Sequence, residues 1–182
     1  EMANIGFISL GCAKNQVDCE RMMYRVQEAG HTVCANVAGC DVVVINTCGF
    51  IESAQSEAID HILSTAAMKA EGYVGKILVT GCLSQRYQEE IMKEMPEVDG
   101  VLGTGSYTEI VPAIEALLED NMVAELGSID APEQETGRIL TTPEHYAYIK
   151  IAEGCDNRCS YCIIPSLRGK YRSRQMDDVL YE

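Results

Sequence analysis

No run in this 182-residue sequence is apolar for long enough to cross a bilayer. The longest, "VVVI" at 42–45, falls far short of the roughly 20 residues a spanning helix needs. The opening residues carry no basic stretch followed by a sustained apolar one, so no signal peptide is expected, and the chain is read as cytoplasmic with no membrane partner. Positive charge is scarce: 14 Lys and Arg face 28 Asp and Glu, leaving a formal net charge of −14. Such an acidic surface argues against wrapping nucleic acid, and no stable nucleic-acid binding is expected. Trp is absent and aromatics make up only 6% beside 47% hydrophobic residues, ordinary values for an α/β chain. Histidine is limited to His31, His61 and His145, which are scattered without ligand spacing. Neither an internal repeat nor a low-complexity tract is visible.

Cysteine, by contrast, is abundant. There are nine, an odd number, in a chain assigned to a reducing compartment. Metal or redox chemistry is therefore a better expectation than a disulfide framework. Charge is also uneven. Residues 155–176 gather Arg158, Arg168, Lys170, Arg172 and Arg174 against Asp156 alone, while the acidic excess lies in 1–154.

Five short β-rich runs alternate with helical patterns: "NIGFISL" (4–10), "HTVCANV" (31–37), "DVVVINT" (41–47), "KILVTG" (76–81) and "GVLG" (100–103). Helices fit at 15–29, 53–71, 84–95 and 107–120, the first with an apolar stripe of Val17, Met22, Val26 and Ala29. Gly30 stands where a C-terminal cap belongs, and Ser106 with Glu109 reads as a capping box. This alternation predicts an α/β fold, a flavodoxin-like five-stranded parallel sheet covered on both faces, over residues 1–120. Residues 121–144, including "APEQETG", read as a linker. Residues 145–182 begin a second unit with a strand, "YAYIKI" at 146–151, and end in the start of a helix, "MDDVLYE", so that unit is expected to be cut off after about one β–α step.

The stretch "EGCDNRCSYCIIPSLRG" at 153–169 places Cys155, Cys159 and Cys162 within eight positions and supplies no fourth cysteine. Structural zinc sites usually close with four protein ligands, and a zinc ribbon needs a second Cys-x₂-Cys pair that is absent here. The bacterial ferredoxin run has a different spacing and a cysteine before its proline. Three soft thiolates can hold three irons of a cubane and leave the fourth open to a substrate or cofactor, which a four-thiolate electron carrier cannot do. Three more cysteines share one placement. Cys12, Cys48 and Cys82 each directly follow a predicted parallel strand, so they should converge at the sheet edge where ligands bind. The alternative is that all three are small buried residues, as free cysteines often are. Cys19, Cys34 and Cys40 show no such pattern and read as structural. "GTGS" at 103–106 reads as a turn and cap rather than a phosphate cradle. The basic run "RGKYRSR" at 168–174 is open to two readings, contact with substrate or a cofactor carboxylate, or a solvated or packed face.

The Cys-x₃-Cys-x₂-Cys loop directly after a strand resembles the radical S-adenosylmethionine enzymes. With "SLGCAKNQVDCE" (9–20), "NTCGFIESAQ" (46–55), "GCLSQRY" (81–87) and "EGCDNRCSYCIIPSLRGKYRSR" (153–174), the chain as a whole resembles the methylthiotransferases. "GCAKN", "TCGFI" and "DNRCSYCIIP" resemble the branch that modifies a ribosomal protein rather than the branch that modifies tRNA. The resemblance implies two 4Fe-4S clusters. One would be held by Cys155, Cys159 and Cys162 with S-adenosylmethionine on its open iron and Tyr161 near the adenine. The other, auxiliary, would be held by Cys12, Cys48 and Cys82. It further implies methylthiolation of the β-carbon of an aspartate on small-subunit ribosomal protein S-twelve, an external electron donor, and the truncated start of a TIM-like barrel after the N-terminal domain. The rival readings are a tRNA methylthiotransferase and, from another class, a non-catalytic iron–sulfur electron carrier.

Overall fold

The computed structural model describes residues 2–132 and 137–182. The hydrophobic alternation of its strands explains the architecture. In β3 (Cys40–Thr47), Val42 and Val44 point to one face and Val43 and Ile45 to the other, and all four are fully buried. A strand buried on both sides reads as a continuous β-branched run because it must satisfy two cores at once. The neighbours repeat this: β1 (Asn4–Ser9), β2 (Thr32–Cys34), β4 (Val74–Gly81) and β5 (Gly100–Gly105) all run parallel in the order β2-β1-β3-β4-β5. Helices α1 (Ala13–Glu28) and α4 (Ile110–Leu118) close one face, with Met22, Val26, Ile110 and Ile114 against Ile5, Val44 and Leu78. Helices α2 (Glu52–Ala70) and α3 (Cys82–Glu94) close the other, with Ala58, Ile62 and Leu83 against Ile45, Ile77 and Val79. The flavodoxin-like expectation holds.

The helix ends obey local chemistry. After α1, Gly30 adopts φ +91°, its N–H bonds Gln27 O, and the His31 N–H bonds Val26 O, the paired C-terminal closure that the glycine predicts. Gly72 repeats it after α2, at φ +81°, with Gly72 N–H on Lys69 O and Tyr73 N–H on Met68 O.

Several expectations need correction. A sixth parallel strand, β6 (Val123–Gly127), extends the sheet beyond β5, formed from residues read as linker. It is an edge strand with exposed Ala124 and Glu125, so it carries no apolar run to betray it. Ala29, placed on the apolar stripe of α1, is the exposed C-cap. The capping box at Ser106 is not made: a single 3₁₀ turn, Tyr107–Glu109, intervenes before α4, and among the described residues the buried Ser106 hydroxyl has no hydrogen-bond partner. The strand expected at 146–151 joins no ladder. Only β7 (Ala152–Glu153) pairs, antiparallel with β8 (Arg172–Ser173), while Ile149 and Ile151 stay exposed because no neighbouring strand covers them. Two short helices, α5 (Ile164–Arg168) and α6 (Met176–Tyr181), complete this region. Residues 133–136 of the expected linker lie outside the described residues. No helix among the described residues is long and apolar enough to cross a membrane.

Candidate functional site

Parallel strands that share a register end together, so the residues at their C-terminal ends gather on one edge of the sheet. The register pairs Ser9 with Asn46 and Thr47 with Gly81, and β1, β3 and β4 finish side by side. Cys48 comes directly after Thr47 and Cys82 directly after Gly81, as the first residue of α3. Cys12 comes after Leu10 and Gly11, where the Leu10 N–H still bonds Asn46 O at 2.9 Å. The strand order reverses direction between β1 and β3, the place where open α/β sheets bind ligands.

Glycine makes the approach possible. Gly11, at φ +90°, lies so near Cys48 that a methyl group there would stand 2.6 Å from Cys48 Cβ. Gly81, at φ +98°, would place one 2.4 Å from Thr47 O. No other residue tolerates both the conformation and the contact. Cys48 and Cys82 are buried and Cys12 is exposed, so the group has two walled members and one open side.

Asn15, fully buried on the first turn of α1, ties the three strand ends together. Its amide donates to Thr47 O at 2.7 Å and Leu10 O at 3.2 Å. Asn46 Nδ2 donates to Asn15 O at 2.6 Å, and Asn15 Oδ1 lies 3.8 Å from Cys82 Sγ.

The second group lies on one loop. Cys155, Cys159 and Cys162 line a single open cavity of about 380 Å³, together with Arg158, Pro165 and Lys170. Cys155 and Cys162 are half-buried and Cys159 is exposed. The loop leaves β7 at Gly154 (φ +74°), turns at Arg158 (φ +47°), and closes when the Cys155 N–H bonds Gly169 O at 3.1 Å. Tyr161 is 89% exposed and does not line the cavity.

Between the two groups runs a buried network of charges. Arg168 Nη1 bonds Asp18 Oδ2 at 2.5 Å and Glu153 Oε2 at 3.1 Å, and its Nη2 bonds Asn15 Oδ1. Lys150 Nζ bonds Asp18 Oδ1 at 2.6 Å and Glu153 Oε2 at 3.1 Å, while Lys14 reaches Glu153 Oε1 at 3.0 Å. The Arg168 guanidinium and the Cys82 sulfur meet on the same atom, Asn15 Oδ1, which lies 3.8 Å from the sulfur. Burial alone would raise the Asp18 pKa, yet Lys150 and Arg168 overcome it and hold the carboxyl well below its usual range. Glu153 is lowered in the same way, its desolvation outweighed by Arg168 and Lys150. Burial pushes the Cys82 thiol up, and Arg168 opposes that push.

The remaining cysteines stand apart. Cys19 is buried in the α1 core, where desolvation pushes its thiol up to about 12. Cys34 and Cys40 lie beside each other at β2 and the start of β3, Cys40 with its sulfur 3.2 Å from Asn36 O. Sequence reasoning missed Asn15, Asp18, Lys150 and Glu153 altogether. Their signal was available in part: Asn15 and Asp18 sit three apart on one helical face directly after Cys12, polar where a core stripe would be apolar. The basic run resolves into different fates, with Arg168 and Arg174 buried against their own chain and Lys170 at the cavity.

The donor sets suit iron–sulfur ligation. Each is three soft thiols with an open side, and neither mixes in imidazole or carboxylate ligands. Among the described residues no group of three or more His, Cys, Asp or Glu is arranged to hold a single metal ion. A cubane makes a different demand, since each thiolate binds a separate iron and the sulfurs stand farther apart than the ligands of one ion.

Residues 4–103 match the model of a family described as "Uncharacterized protein family UPF0004". Over all 182 residues the chain is 47% identical to "Ribosomal protein uS12 methylthiotransferase RimO" from Thermoanaerobacter sp. (strain X514) and 46% identical to the protein of the same name from Clostridioides difficile (strain 630). It is 48% identical over 175 residues, 96% of the chain, to that of Anaeromyxobacter sp. (strain Fw109-5). The chain covers 42%, 41% and 37% of these proteins respectively, so it spans about two fifths of the relatives it matches.

Proposed function

The chain belongs to the uncharacterized protein family UPF0004, and from that premise we propose that it is the N-terminal part of a methylthiotransferase acting on an aspartate β-carbon of small-subunit ribosomal protein S-twelve. The observation that supports this best is the pairing of two three-thiol groups, one on adjacent strand ends and one on a loop, across a single buried ion network. Together, two 4Fe-4S clusters and S-adenosylmethionine would supply what side chains cannot, homolytic attack on an unactivated C–H bond and a sulfur to put in its place.

Each residue has a part in this reading. Cys155, Cys159 and Cys162 would hold one cluster, and their cavity gives an S-adenosylmethionine molecule room beside it. Arg158 and Lys170 line the same cavity and offer positive charge to its carboxylate. Cys12, Cys48 and Cys82 would hold the other cluster, with the exposed Cys12 side facing incoming substrate. Asn15 keeps the strand ends at fixed separation through its bonds to Leu10 and Thr47.

The test uses the full-length protein reconstituted with iron and sulfide under reducing, oxygen-free conditions. S-adenosylmethionine should perturb the EPR signal of the reduced protein, and a peptide carrying the target aspartate should gain a methylthio group by mass spectrometry. Transfer to tRNA instead would overturn the substrate, and an EPR signal indifferent to S-adenosylmethionine would overturn the enzyme in favour of an electron carrier.

A further inference from the structure

We infer that Arg168 is a positioning residue that docks the three-cysteine loop onto the strand-end cysteines and sets the charge felt at Cys82. The inference deepens the proposed function and rests on it for its second half.

Three consecutive residues at the end of α5 are pinned in three directions. Leu167, 2% exposed, accepts a 2.5 Å bond at its carbonyl from Thr104 Oγ1 at the end of β5. The Arg168 side chain enters the strand-end site and bonds Asp18, Glu153 and Asn15 Oδ1, the atom that lies 3.8 Å from the Cys82 sulfur. Gly169, at φ +73°, receives the Cys155 N–H on its carbonyl. The backbone that holds the first loop cysteine is therefore continuous with the side chain that bonds Asn15 beside a strand-end cysteine. Movement of one group is transmitted to the other through two residues.

The choice of side chain fits this role. A guanidinium presents several donors in a rigid fork and can bond Asn15, Asp18 and Glu153 at once, whereas an ammonium acts as a single point. Stability alone does not demand it, because buried ion clusters are often replaceable by apolar residues at little cost. What an apolar residue cannot supply is a fixed cation beside Cys82. A positive charge close to a redox centre favours its reduced, more negative state, so it raises the reduction potential.

Two measurements on the full-length protein test the two halves. In metal-free protein, amide hydrogen exchange reads loop docking. Both Arg168→Gln and Arg168→Lys should speed exchange at the bonded amides of Cys155, Leu167 and Gly169 by at least about tenfold, since neither side chain reproduces the fork. In protein carrying Cys155→Ala, Cys159→Ala and Cys162→Ala, only the strand-end site is left to hold a cluster, and EPR-monitored titration reads its potential. Arg168→Gln should shift that potential negative and Arg168→Lys should restore most of the shift, a rescue that a purely structural role would not produce. Unchanged exchange in both variants overturns the docking, and equal potentials for Arg and Gln overturn the charge role. Absence of any cluster in the strand-end site would sink the proposed function while leaving the exchange result decisive for docking. If Arg168→Gln does not fold, the charge-balanced pair Asp18→Asn with Arg168→Met carries the exchange measurement in the same direction, and Asp18→Asn alone, which leaves the guanidinium less opposed, should shift the potential positive.

Discussion

Cys155, Cys159 and Cys162 lie within eight positions of one loop, while Cys12, Cys48 and Cys82 come from the ends of three different strands. The loop group is defined by local chain geometry: a left-handed glycine, a turn and one backbone bond bring its members to a common cavity. The strand-end group exists only because the sheet has its particular order and register. The first is therefore open to solvent, and the second is largely buried and tied together by Asn15. A radical-generating site needs room for a cofactor to enter. A site that holds a sulfur for transfer needs fixed geometry, and under the proposed function the two constructions would meet those needs.

The most severe test of this division separates the groups chemically. In the full-length protein Cys155→Ala should lower S-adenosylmethionine cleavage by more than about 100-fold, since the loop cluster would lose a ligand. Cys82→Ala should leave cleavage within about threefold of wild type while abolishing methylthio transfer. Each variant should lose about half of the bound iron by chemical assay, as expected for one of two equal clusters. Equal loss of cleavage in both would erase the distinction.

Backbone packing separates the groups next. Gly81→Ala forces a side chain at φ +98° to within 2.4 Å of Thr47 O, so denaturant unfolding should show a loss of about 3 kcal/mol. Gly30→Ala has nothing within 4 Å at a similar φ of +91°, and its cost should be about 1 kcal/mol. Similar costs for the two would mean that the close approach at the strand ends carries no strain.

Acid sharpens the comparison through the network between the groups. Asp18 and Glu153 have folded pKa values below their ordinary ones. Their contribution is therefore complete above the unfolded value near 4 and is lost as pH falls through the lower folded value. Unfolding free energy should drop by about 2 kcal/mol between roughly pH 4.5 and 2.5, and Asp18→Asn should flatten that slope. A slope identical in the variant would show that Asp18 does not carry the linkage.

The smallest effect is expected at Tyr161. With 89% of its surface exposed, Tyr161→Ala should change stability by less than about 0.5 kcal/mol. A larger loss would mean that this side chain packs against the rest of the protein. An increase in the apparent KM for S-adenosylmethionine would show that it meets the cofactor.

The same contrast governs what could be read from sequence. Cys-x₃-Cys-x₂-Cys is a spacing, and spacing is visible in a string. The parallel sheet was legible because strands such as Val42–Ile45 must serve two apolar faces, and the sheet in turn implied the convergence of Cys12, Cys48 and Cys82. Edge strand β6 was not legible, because exposed Ala124 and Glu125, on opposite faces, remove its hydrophobic signature. Nor was the ion network. Asp18 and Arg168 are 150 residues apart, and a buried charge declares itself only when its partner is known. Tyr146 and Tyr148 misled for the opposite reason. Alternation suited to a strand was present at 146–151, but a ladder needs a neighbour, and the two rings instead meet edge to face at 5.6 Å.

The distance along the chain between Asp18 and Arg168 also imposes a schedule on biosynthesis. A ribosome adding about 5–20 residues per second takes roughly 8–30 s to pass from one to the other. The six strands and the walls of the strand-end cysteines are all synthesised before Arg168 emerges. During that interval Asp18 waits for both of its cations, Lys150 and Arg168, and Asn15 for the guanidinium on its Oδ1. Under the proposed function, a cluster loaded at the strand ends before the loop arrives would be enclosed only when Arg168 bonds Asn15 and Asp18, like a bolt shot last.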